Sequence, residues 1–230
     1  MFESGELYLC KAIEVVDDPY QFRKNGEIAI SFFKKAVQQN NYVYALLELG
    51  FCYLNGIGVE KANRREAEIY YRRAADQGNG AAVQALLNDL GIFYSEKEQQ
   101  LWQEMSDIIE FAACDIYATG DIPENKLRNA IAEYAKDANP KQVLGLYDDT
   151  FWGSGSDGFL IVPNGIRRPN AAEAPSDIRW EQIKSIDIEC STILISCDDE
   201  EIYIDMPEGA AQMISDLRDL YVNHFKQYYS

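Results

Sequence analysis

Residues Ala45 to Gly78 read ALLELGFCYLNGIGVEKANRREAEIYYRRAADQG, and the fold turns on this stretch. Ala45, Leu49 and Tyr53 recur at helical spacing, as do Ala67, Tyr71, Ala74 and Ala75. Between the two runs, Asn55-Gly56-Ile57-Gly58-Val59 supplies glycines where a tight interhelical turn needs positive φ. Ala45, Gly50, Ala67 and Ala74 are small enough to let helices approach, while Tyr53 and Tyr71 fill the gaps between them. Packing, not chemistry, selects these residue types.

Working outward, the pattern recurs. Ala29, Phe33, Ala36 and Val37 are echoed by Ala67, Tyr71, Ala74 and Ala75 at a shift of 38 residues, and Leu49, Gly50 and Tyr53 by Leu90, Gly91 and Tyr94. A period of roughly forty residues with helical spacing inside it predicts stacked helix pairs, which cannot bury their apolar faces alone. The chain from Ala45 to Gly78 closely resembles the Sel-one-like repeat, a relative of the tetratricopeptide repeat. The flanking copies depart from it: the first has Asp17-Asp18-Pro19 in place of the glycine loop, and the third has Ser95-Glu96-Lys97. The resemblance implies an α/α solenoid with a concave, protein-binding surface. With Ala45, Leu49, Gly50 and Tyr53 used for helix packing, Tyr44, Leu47, Phe51 and Leu54 are left for the inner curve. That strip is either an open groove for a partner helix or extended peptide, or core covered by the adjoining helix or the second domain.

A domain boundary is expected near Gly120, giving repeats over 1–120 and a second domain over 121–230. Pro123 to Asp137 reads as a helix, stopped by Asn139-Pro140. Beyond it the period changes to two: Ile186 and Ile188 alternate with Asp187 and Glu189, and Ile202 and Ile204 flank Tyr203. These are half-buried antiparallel strands, and Asp198-Asp199-Glu200 between them reads as a solvated turn. Met213, Ile214, Leu217, Leu220, Tyr221 and His224 then follow helical spacing, with Asp205 and Glu208 as a capping pair. The fold class is therefore α+β: a helical-repeat solenoid, then an antiparallel β barrel or sandwich capped by a C-terminal helix. Leu146 to Gly153, Asp157 to Ile161, Trp180 and Ile183 resemble bacterial pleckstrin-homology-like domains. Lipid-binding members of that superfamily have a basic first loop. Here the corresponding loop carries Asp148, Asp149 and Asp157, with no Lys or Arg between Lys141 and Arg167, which argues against phosphoinositide binding.

Charge narrows the partners further. A formal net charge of -17 repels phosphate backbones and anionic lipid, so nucleic acid and membrane are disfavoured and a basic protein partner fits better. The start of the chain has no signal-peptide pattern, so a cytoplasmic location is expected. Cys10, Cys52, Cys114, Cys190 and Cys197 are odd in number and lack CxxC spacing, which predicts reduced, mostly buried thiols and no metal site. The one histidine, His224, lies on an apolar helix stripe and reads as structural. Gly153 to Gly158 lacks the Gly-Lys-Ser/Thr of a phosphate loop and reads as a β-turn. No catalytic residue or cofactor emerges. The expected function is a protein-interaction adaptor. The alternatives are an inhibitor or immunity protein neutralising a basic, toxin-like partner, and a hydrolase with an unrecognised carboxylate site.

Overall fold

Most of the residues that the repeat pattern assigns to packing are buried, with Val37 and Tyr53 half-buried, in the computed structural model, which describes residues 1–40, 42–112, 115–136, 138–150, 158–169, 177–189, 192–197, 201–205 and 209–228. The chain divides into two compact units, residues 1–94 and 95–228.

The first unit is helical: α1 (Phe2–Glu14), α2 (Pro19–Asn40), α3 (Val43–Asn55), α4 (Arg64–Ala75) and α5 (Gly80–Asn88). Helices α1 and α2 pair, α3 and α4 pair, and α2 packs on α3 as α4 packs on α5. The equivalence across 38 residues holds in space: Ala29, Phe33 and Ala36 on α2 are buried, as are Ala67, Tyr71 and Ala74 on α4. Side chains cap the later helices. The side-chain Oδ1 of Asn63 accepts from the Glu66 N–H at 3.1 Å, and that of Asn79 from the Ala82 N–H at 2.8 Å. In the α3–α4 loop, Gly56 takes the left-handed conformation (φ 72°) that ends α3. Gly58 has a second reason to be glycine: a Cβ there would overlap the backbone of Gly26 on α2, so this loop is seated on the preceding helix pair.

The second echo read from the sequence is corrected. Leu49 and Gly50 lie inside α3, whereas α5 has only 9 residues and ends at Asn88, with Gly91 beyond it at φ 66°. The structural counterparts of Ala45, Leu46 and Leu49 are Ala82, Val83 and Leu86, all fully buried. The first pair carries a copy that the sequence period hides. A Cβ on Gly5 would lie 2.5 Å from Cε1 of Phe33, as one on Gly50 would meet the ring of Tyr71. Tyr8 likewise stacks on Phe32 as Tyr53 stacks on Tyr70, with centroids 6.0 and 5.4 Å apart.

The second unit opens with α6 (Glu96–Glu110), which lies before Gly120 yet groups with the β-rich part. Ser95-Glu96-Lys97-Glu98 is the capping box that starts this helix, and α6 packs its buried Leu101, Met105 and Ile109 within this unit, against the C-terminal helix among other elements. Strands β1 (Tyr117–Ala118), β2 (Gly145–Asp148), β3 (Gly158–Val162), β4 (Gly165–Arg167) and β5 (Asp177–Arg179) form one antiparallel sheet in that order. Helix α7 (Glu124–Tyr134) falls between β1 and β2, within the predicted helical span. Strands β6 (Ser185–Glu189), β7 (Thr192–Ser196) and β8 (Glu201–Asp205) form a second sheet, with Ile195 opposite both Ile186 and Ile202. Among the described residues no strand pairing joins the two sheets. A 3-10 turn at Trp180–Gln182 connects them, and the buried Trp180 donates its indole N–H to the Pro163 carbonyl at 2.8 Å.

Helix α8 (Ala210–Lys226) buries Met213, Ile214, Leu217, Tyr221 and Phe225, and Arg218 donates to the Ile183 carbonyl at 2.7 Å. The residue at the start of this helix is Gly209, at φ 87° and without a side-chain cap, while Asp205 of the expected capping pair belongs to β8. Glu208, the turn at 198–200, and residues 151–157 with most of the glycine-rich stretch lie outside the described residues.

Candidate functional site

Four positions on α3 carry the interaction strip read from the sequence, and the structure separates them into two pairs. Tyr44 and Phe51 are exposed, at 52% and 37%, while Leu47 and Leu54 are half-buried. Helical geometry explains the split. Positions 44, 48, 51 and 55 lie on one face of a 3.6-residue helix, and positions 47 and 54 lie on its flank. Glu48 therefore stands between the two exposed rings, a residue the apolar reading passed over although the i, i+4, i+7 spacing from Tyr44 points to it. Beside it an aromatic cluster forms from the start of α1 and the start of α3. Phe2 meets Tyr42 edge-on at 4.9 Å, and Tyr44 lies 5.6 Å from Tyr42 and 6.4 Å from Phe2.

The Glu48 carboxylate is half-buried and has neither a hydrogen-bond partner nor an ion pair among the described residues. Burial pushes its pKa up, and the nearby charge of Glu6 on α1 pushes the same way. No cation of α1 or α3 answers it: α3 has no basic residue, and Lys11, the one on α1, lies over the Tyr8 ring at 4.9 Å. Below Glu48, burial raises the Cys52 thiol to about 12, which removes it as a thiolate nucleophile near neutral pH.

Two other carboxylates, Glu98 and Asp148, are tied into structure. His224 faces the wholly buried Glu98, its Nε2 3.0 Å from Oε1; the Tyr228 hydroxyl donates to the same oxygen at 2.6 Å. The other carboxylate oxygen accepts from the Ser95 N–H at 2.8 Å and the Ser95 hydroxyl at 2.6 Å. Burial alone would raise the Glu98 carboxyl, but the bonds from His224, Ser95 and Tyr228 together outweigh it and hold the pKa at about 2. The cleft of about 180 Å³ beside His224 is lined by Lys97, Gln100, Leu101, Glu104 and Leu220, none of them a nucleophile placed on the imidazole. Asp148, read as part of an acidic loop, instead has a side chain only 2% exposed and 2.8 Å from Lys126 Nζ, which also donates to the Tyr117 hydroxyl at 2.9 Å. Among the described residues no group of acidic, Cys and His side chains is placed to hold a metal. Cys52 is buried as expected and Cys197 is half-buried, but Cys10 is exposed; Cys114 and Cys190 lie outside the described residues. No helix of the described chain is long and apolar enough to cross a membrane.

The Sel1 repeat family model matches residues 21–41 and 43–79, which takes in most of α2, all of α3 and α4, and all four strip residues. Repeats of this family generally mediate protein–protein interaction, and the family is typically non-enzymatic. Neither the curated proteins nor the solved structures return a match to the chain.

Proposed function

We propose that this protein is an interaction adaptor whose first unit holds a protein partner on α3 through Tyr44, Leu47, Phe51 and Leu54, the strip assigned to the inner curve of the repeat. The exposure of two large aromatic rings, Tyr44 and Phe51, on a helix whose other faces are committed to packing carries this reading. Exposed aromatic surface draws a docked partner, and the half-buried Leu47 and Leu54 on the flank of α3 add apolar area to it. The second unit contributes a brace or a further surface. Its antiparallel strands followed by a terminal helix favour a pleckstrin-homology-like character without lipid binding, and the acidic balance of the chain favours a basic protein partner. Affinity purification of the full chain from its native cell, with a Tyr44→Ser/Phe51→Ser variant in parallel, tests the reading. A partner retained by the parent and lost by the variant supports it; equal recovery by both contradicts it.

The net charge of -17 also favours a second reading, an inhibitor neutralising a basic toxin-like protein. It requires that the captured partner be strongly basic and that its activity fall on binding.

A further inference from the structure

We propose that the α3 face reads a basic side chain of its protein partner, its cation seated at Glu48 beside Glu6 and its aliphatic stem lying across Tyr44 and Phe51. This rests on the preceding reading of the α3 strip as the docking surface and says what chemistry the surface selects.

Three observations converge on it. Glu48 is half-buried in the middle of an otherwise uncharged helix, with no hydrogen-bond donor or ion-pair cation among the described residues. An anion so placed loses hydration without compensation, and an incoming ammonium or guanidinium restores it. A second carboxylate, the exposed Glu6 of α1, is close enough to act on Glu48 electrostatically. Finally, Tyr44 lies four residues before Glu48 and Phe51 three after it, so a ring stands one turn to either side of the carboxylate. An anion between two aromatic faces matches a long basic side chain: the methylene stem and, for arginine, the guanidinium plane pack on the rings while the charge meets the carboxylates. A purely apolar guest would cover Glu48 without pairing it, and an acidic guest would be repelled.

The test uses the full chain and labelled synthetic peptides with one central arginine between apolar residues, each paired with a copy carrying norleucine instead, read by fluorescence anisotropy. The expected result is saturable binding of arginine peptides that weakens with salt, is about tenfold weaker for the norleucine copies, and falls about tenfold in Glu48→Gln. Glu6→Gln, at an exposed position, gives a smaller loss in the same direction, and neither variant lowers the melting temperature. Equal affinity for arginine and norleucine peptides, or an unchanged affinity in Glu48→Gln, overturns the inference; if Tyr44→Ser/Phe51→Ser still abolishes binding in that case, the docking surface stands without its charge selectivity. Failure of every arginine peptide to bind also overturns it, while the native-cell purification decides the surface separately.

Discussion

Gly50 of α3 lies directly against the ring of Tyr71 on α4, with no room for a Cβ between them. The same relation joins Gly5 and Phe33 in the preceding helix pair, so a missing side chain on one helix and a large ring on its partner set the spacing of both. Because the ring is wholly enclosed, it cannot swing aside.

Gly50→Ala is therefore expected to destabilise the first unit despite raising helix propensity. Overpacking of about 1 to 3 kcal/mol exceeds the gain of up to about 1 kcal/mol from replacing glycine inside a helix. Urea unfolding measures the balance. A more stable Gly50→Ala variant would show that the contact is loose.

Glu98 makes the second unit acid-sensitive. Its folded pKa of about 2 lies below the ordinary 4.5, so the unfolded chain binds more protons between those values and stability rises with pH across that window. The contribution, on the order of 3 kcal/mol, is present in full above pH 4.5 and is lost as pH falls through 2. Acid unfolding followed by the fluorescence of the buried Trp180 should flatten over this window in Glu98→Gln. Identical acid transitions in parent and variant would contradict the assignment.

Lys126 and Asp148 form an ion pair whose carboxylate is almost entirely removed from water. Lys126→Met leaves that carboxylate buried without its cation and should cost about 3 kcal/mol, whereas adding Asp148→Asn should recover most of the loss. The comparison is made by chemical denaturation of the three proteins. Additive losses in the double variant would mean that the two side chains do not interact.

How far the sequence carried this fold depended on whether the signal was local. The helix pair from Ala45 to Gly78 was legible because its small residues and its glycine turn occur within one continuous stretch. Gly5 and Tyr8 were missed because α2 extends further before its packing face than α4 does, so their counterparts Gly50 and Tyr53 stand 45 residues away while Phe33 and Tyr71 are 38 apart. No single period aligns both helices. Ser95-Glu96-Lys97 looked like a decayed repeat loop because a capping box and a loop share the same polar residues; the distinction lies in Glu98, whose carboxylate reaches Tyr228 and His224 far along the chain. Asp148 looked solvated for the same reason, since its cation, Lys126, comes from another element. On α3, the aromatic strip was visible as a pattern, but the unpaired state of Glu48 is a property of its surroundings.

The central claim is that the α3 face is surface kept for a partner rather than core, and Tyr44→Ser/Phe51→Ser tests it most directly when stability and capture are measured on the same preparation. The account predicts a stability change of less than about 1 kcal/mol by urea unfolding, as for exposed positions, together with loss of the native partner. A loss of about 3 kcal/mol or more, of the size that large-to-small changes in a core produce, would contradict it. So would undiminished capture by a variant that remains folded.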